Sequence, residues 1–206
     1  MTDAPPPFDV QAELAALSRA VRRTDRTTVT ATLTRTFPAS ADAVWAALTE
    51  PDRVAAWFYP LSGDLRRGGT YQLEGSMGGR IRRCEPGRRL EVTFGMKQST
   101  VDVRLTADDG GTRLELAHGV PLALAGSGAA ALYVGPGWDG ALVVLGLHLA
   151  GIEVGDPLVL ASTPLMAKVH DGAVDAWAEA VVASGTATAE QVVTARGAVA
   201  RAATQA

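Results

Sequence analysis

Three histidines, three tyrosines and a single cysteine are the side chains of this 206-residue chain best suited to proton transfer or nucleophilic attack. None falls into a signature. No two histidines have metal-ligand spacing and Cys84 stands alone, so no metal site is expected. Gly126-Ser127-Gly128 lacks the spacing of a serine nucleophile elbow. With Ala131 it gives a degenerate dinucleotide fingerprint, but no βαβ unit surrounds it, so it reads as a flexible loop over a pocket mouth and no cofactor is expected. What remains is binding chemistry and a thin case for acid–base chemistry. His118 shares strand parity with Leu114 and Leu116, so its imidazole faces inwards. It is either a hydrogen-bonded strand-end histidine, a ligand contact, or a general base with a tuned pKa. Tyr71 offers its hydroxyl to a ligand or to a backbone carbonyl. Arg35 follows Val29 and Leu33 in parity, and Arg83 follows Ile81, so both guanidiniums approach the inner face if neither strand carries a bulge. There they pair with a carboxylate such as Glu85 or Glu74, or clamp a carboxylate or phosphate on an otherwise apolar ligand.

The elements that position these residues follow from periodicity. Residues 1–7 are polar and proline-rich and read as disordered. Val10, Leu14, Leu17 and Val21 recur at helical spacing and predict a short amphipathic helix over 9–23. From Thr28 to Phe37, threonines alternate with Val29, Ala31, Leu33, Arg35 and Phe37, the pattern of a half-exposed antiparallel strand. Ser40 is placed to cap a helix through Val44, Trp45 and Leu48, and Pro51 to open a second one. Strands follow through Tyr71 and Leu73, through Ile81, through Leu90–Met96, through Val101–Leu105 and through Leu114–His118, the last two joined by an Asp-Asp-Gly-Gly hairpin turn.

Residues 137–152, GWDGALVVLGLHLAGI, have almost no wet face between Ala141 and Ile152. A spanning helix needs about 20 apolar residues. Pro136 and Asp139 on one side and Glu153 and Asp156 on the other leave this run too short, which predicts a helix buried on all sides. Two further alanine-rich helices are expected at about 163–183, containing Trp177, and about 188–204. A net charge of −3 gives no footprint for nucleic acid or an anionic membrane. One cysteine and an N-terminus without a secretory pattern suit a cytoplasmic protein.

Four stretches carry a resemblance: FPASADAVWAALTEPDRVAAWFYPLSGDLRRGG, GGRIRRCEPGRRLEVTF, GTRLELAHGVP and GPGWDGALVVLGLHLAG. In this order they resemble the START-like (SRPBCC) superfamily and, within it, the bacterial Hsp90-ATPase-activator-homologue group. The resemblance implies an α+β helix-grip fold, a curved antiparallel sheet around a long C-terminal helix, with a cavity between them for an apolar or amphipathic small molecule. Residues 28–152 would be the helix-grip domain, 1–27 a tail and short helix, and 153–206 a helical extension on the grip helix. Trp138, Leu142, Leu145 and Leu149 would face the sheet. Ala141, Val144 and His148 would lie under the extension through Trp177 and Val181, or drive a homodimer if that packing is intermolecular. Cavity-lining candidates are Trp57, Leu73, Phe94, Val103 and Leu116, with Tyr71, His118, Trp138, Leu142 and Leu145, and with Arg35 and Arg83 as polar fixers. The alternative is that Phe94, Met96 and Trp138 simply fill the space.

Three functions remain open at this level. The first is a small-molecule binding protein without catalytic residues. The second is a polyketide cyclase or hydratase-like enzyme using His118 and Tyr71. The third is a chaperone-associated interaction protein of the Hsp90-activator kind.

Overall fold

The computed structural model describes residues 8–203. The elements run, in order, α1 (Val10–Ala15), β1 (Ser18–Arg23), β2 (Thr28–Phe37), α2 (Ala41–Thr49), α3 (Pro51–Ala55), β3 (Leu61–Gly63), β4 (Thr70–Leu73), β5 (Gly78–Glu85) and β6 (Arg89–Phe94). They continue with β7 (Met96–Asp108), β8 (Gly111–Pro121), α4 (Leu122–Ala125), a 3-10 turn (Gly128–Ala130), α5 (Ala131–Leu149), α6 (Pro157–Ala161), α7 (Pro164–Ser184) and α8 (Ala189–Ala203). The strands form one eight-stranded antiparallel sheet in the order β1-β2-β8-β7-β6-β5-β4-β3. This is the α+β helix-grip fold, with α5 as the grip helix and additional helices before and after the core. The proline-rich stretch 1–7 lies outside the described residues.

Local chemistry explains most boundaries. Ser40 Oγ accepts from the Ala43 amide at 3.2 Å and starts α2, and Pro51 sits in the first turn of α3. The β7–β8 hairpin closes on Gly111 at φ +128, where a Cβ would lie 2.2 Å from the Phe37 carbonyl, so no other residue fits.

Five expectations are corrected. The helix over 9–23 is two elements: α1 stops at Ala15, and Ser18–Arg23 is a strand paired with β2. Leu17 and Val21 are buried and Arg19 lies between them on the same inward face, a period of two that four-residue spacing mimics. The strand also covers what would otherwise be the free edge of β2. Met96 does not continue β6: it opens β7 after a turn at Gly95 and is exposed.

The grip helix begins at Ala131, with Pro136 inside it at the cost of one backbone hydrogen bond to Leu132. Counted from Gly128 it is 22 residues, long and apolar enough by length and composition to cross a membrane, so the length argument fails. Its middle is instead packed inside the protein, with Leu142, Val143 and Leu145 all buried. Asp139 is no boundary residue but is wholly buried on that helix. Finally, residues 126–128 are no loop over a pocket mouth: Ser127 and Gly128 are buried, and the Gly128 amide donates to the Thr186 carbonyl at the α7–α8 turn.

Asp139 ties three elements together. Arg19 on β1 pairs with its carboxylate, donating from Nε at 2.6 Å, and the Trp177 indole N–H of α7 donates to the other oxygen. Burial pushes the Asp139 carboxyl upwards, opposed by the charge of Arg19 and by the hydrogen bonds from Trp177 and Arg19. Gly135, one turn earlier on α5, lies against the Trp177 ring so closely that a Cβ would be 2.4 Å from it.

Candidate functional site

The inner face of the sheet brings His118 of β8, Ser99 of β7 and Phe94 of β6 together opposite Trp138 of α5. Ser99 lies two residues before Val101, the partner of His118 across the β7–β8 ladder. Its Oγ is 2.8 Å from His118 Nε2, and the Trp138 indole N–H donates to His118 Nδ1 at 3.0 Å. An indole nitrogen only donates, so Nδ1 is an acceptor and the proton of the neutral ring sits on Nε2, donated to Ser99. Burial pushes the His118 pKa down to about 4, so the ring is neutral at pH 7. Both nitrogens are then occupied. This wiring runs opposite to a serine–histidine catalytic pair, in which Nε2 must be free to take the hydroxyl proton. Phe94 completes the cluster, its ring 5.7 Å from His118 and 5.2 Å from Trp138.

The cluster stands at the wall between two chambers. An outer one of 430 Å³ opens between α5, α6, the first turns of α7, the Trp57-Phe58-Tyr59 segment and the Ser76-Met77 turn. An inner one of 120 Å³ lies under the curved sheet, between Tyr71, Leu73, Ile81, Val103 and Leu116 on one side and Leu142 on the other. Trp57, Phe58, Phe94, Trp138 and Ala141 line both.

Inside, every side-chain polar group is already used. Trp57 donates to the Ala47 carbonyl at 2.8 Å, Tyr71 to the Thr93 carbonyl at 2.9 Å, and Trp138 to His118. Burial pushes the Tyr71 phenol up to about 12, so it stays protonated. At the outer chamber, Tyr59, Ser76 and Tyr133 have side-chain hydroxyls without a hydrogen-bond partner among the described residues. His170 is there too, its Nδ1 3.9 Å from Asp171. Among the described residues, no Asp, Glu, Lys or Arg lines either chamber.

The sequence-derived candidates divide accordingly. Trp57, Phe94 and Trp138 line both chambers, His118 the outer one, and Tyr71, Leu73, Val103, Leu116 and Leu142 the inner one. Leu145 is wholly buried but lines neither. Arg35 does turn inwards, yet not to a cavity: it pairs with Glu13 at 2.7 Å, donates to the Leu142 carbonyl at 3.2 Å and covers the Phe37 ring. Gly146 makes room for its guanidinium, since a Cβ there would be 2.8 Å from it. Its partner is thus on α1, neither Glu74 nor Glu85. Arg83 is thrown outwards by an irregularity between Ile81 and Arg83, and pairs at the surface with Glu85 at 3.1 Å. The same shift turns Cys84 inwards against Leu65, where burial raises its thiol pKa. His148 is within electrostatic reach of Arg53, and burial followed by that charge lowers its pKa.

Several cavity residues escaped the sequence reading. Gly137, Gly140, Ala141 and Val144 form a shallow groove on α5, with the i, i+3, i+4, i+7 spacing of one helix face. A Cβ at Gly137 would meet nothing within 4 Å. Met166 and His170, four apart on α7, face that groove, and their spacing was the available signal. Ser99 shares the inward parity of Val101, Val103 and Leu105 and was legible in the same way.

The family described as Activator of Hsp90 ATPase homolog 1-like protein matches residues 38–148. The chain is similar to CalU16 from Micromonospora echinospora, whose crystal structure is 35% identical, with a TM-score of 0.66 over 81% of this chain and 98% of that one. It is also similar to DynU16, from the dynemicin biosynthetic locus, at 26% identity and a TM-score of 0.53 over 59% of this chain and 48% of that one. EF2215 from Enterococcus faecalis, 15% identical with a TM-score of 0.59 over 83% of this chain and 95% of that one, shares the fold. No curated protein matches the chain.

Proposed function

The chain belongs to the Activator of Hsp90 ATPase homolog 1-like family, and on that premise we propose that it is a small-molecule binding protein whose ligand occupies the space between sheet and grip helix. The observation that carries this reading is the pair of adjoining chambers walled by Trp57, Phe58, Phe94 and Trp138. The 430 Å³ outer space is within the roughly 300–1,000 Å³ of ordinary ligand pockets. The place of DynU16 in a biosynthetic locus favours a small molecule over a chaperone as the partner.

Binding without catalysis is the better account of the polar groups. His118 has no lone pair left for a substrate proton, and Tyr71 directs its hydroxyl to Thr93. A cytoplasmic location, with neither nucleic acid nor membrane as partner, completes the proposal.

Native mass spectrometry of the purified protein, followed by denaturation and organic extraction, tests it. A reproducible bound mass that is lost from His118→Ala, in which Trp138 is released from its acceptor, is the expected result. A protein that is empty and takes up no apolar dye would overturn the proposal.

A further inference from the structure

The chambers differ in what they offer a guest, and the difference specifies its chemistry. In the inner chamber the Tyr71 hydroxyl and the Trp57 and Trp138 indole N–H groups are committed to protein acceptors. A ligand hydroxyl or amine placed there would be desolvated without a partner, and a carboxylate or sulfonate more severely so, because no Lys or Arg among the described residues lines the walls. Arg35 and Arg83, the side chains whose strand parity would bring them to an acid, are directed elsewhere. The inner chamber's 120 Å³ is close to the roughly 150 Å³ of an apolar cavity that accepts one benzene ring. Its entrance is aromatic: Trp57 and Phe58 stack at 5.1 Å, and Phe94 and Trp138 lie at 5.2 Å. The outer chamber has unpartnered hydroxyls at Tyr59, Ser76 and Tyr133, with the His170 imidazole beside them.

We propose that the ligand is an uncharged, amphipathic aromatic molecule held ring-first, with one ring past the Trp57–Phe94–Trp138 wall and its hydroxyl or carbonyl groups towards Tyr59, Ser76, Tyr133 and His170. This rests on the cavity-binding reading above and narrows it to a ligand class and an orientation. Ring–ring contacts add to simple area burial, so a planar aromatic guest is held better than an aliphatic one of equal volume.

A matched pair of fluorescent probes tests the proposal. N-phenyl-1-naphthylamine and its 8-sulfonate share one ring skeleton and differ by a charge. Titration of the full chain is expected to give a dissociation constant at least about tenfold lower for the neutral probe, the ratio that corresponds to a modest unpaired-charge penalty. Dodecanol is expected to displace it poorly. Val92→Phe and, separately, Leu90→Phe add volume at the inner chamber from half-buried positions. In whichever variant keeps the parent's unfolding midpoint, the neutral probe should weaken by about tenfold or more. Equal or tighter binding of the sulfonate, efficient displacement by dodecanol, or unchanged affinity in a folded variant would each overturn the ligand class or orientation while leaving cavity binding in place. If none of the three molecules binds, cavity binding itself fails and this inference with it.

Discussion

The two ends of the sheet are built on different principles. At one end β1, β2 and β8 are backed by α5 and α7, and buried polar groups hold the layers together: Arg19 and Trp177 on Asp139, and Arg35 on Glu13 and the Leu142 carbonyl. At the other end β3–β6 curve over the void, their inner side chains form a small apolar cluster of Tyr71, Leu73 and Ile81, and the charged residues of β5 face water. The contrast is clearest in two arginines with the same expected parity. Arg35 is drawn in at the closed end, and Arg83 is turned out at the open one. The buried polar ties are concentrated where the helices meet the sheet, and the far end surrounds empty space.

Breaking the closed end should cost most. Asp139→Ala leaves the buried Arg19 guanidinium with only the Leu14 and Leu17 carbonyls and no carboxylate, and urea unfolding should show a loss of about 3–5 kcal/mol. A loss below about 1 kcal/mol would mean that this end is held by packing alone.

His118, at the boundary between the two ends, supplies the next effect. Its folded pKa of about 4 lies below its ordinary 6.5, so between those values the unfolded chain binds a proton that the folded one refuses. Stability is therefore full above about pH 6.5 and falls as pH drops towards 4, by on the order of 3 kcal/mol. His118→Gln should flatten that part of the stability–pH curve, as read by urea midpoints at several pH values.

Gly135→Ala drives a methyl group into the Trp177 ring and should cost about 1–3 kcal/mol, visible as a lowered Tm. Arg83→Ala should change stability by no more than about 0.5 kcal/mol and leave probe binding unchanged, because its ion pair is solvent-exposed. A large effect there would erase the distinction between the two ends.

How much of this was legible in the sequence follows the same division. The alternation of Thr28–Phe37 and of Leu114–His118, the Ser40 cap and the Asp-Asp-Gly-Gly turn are local signals, and each lands where the residues say. Leu17 and Val21, four apart, satisfy helical and alternate spacing at once, and only the unpaired edge of β2 decides for a strand. The outward turn of Arg83 comes from a register shift set by the partner strand, which parity counting within β5 cannot contain. Asp139 looked like a helix boundary because its two partners are 120 and 38 residues away in the chain. The sheet-side lining of the cavity was readable. The part contributed by α6 and α7 depends on how those helices dock: the four-residue spacing of Met166 and His170 marks one face of α7, but nothing local records that it meets α5.

Gly137 gives the molecule a means of change. It faces the outer chamber from α5, and a Cβ there meets nothing within 4 Å, while Gly135 and Gly146 on the same helix have no such room. Replacing a mid-helix glycine with alanine favours the helix by about 1 kcal/mol. An alanine here would therefore change the wall of the outer chamber without loss of stability. Selection, or a designer, can reshape that chamber through a single codon, and the route is downhill.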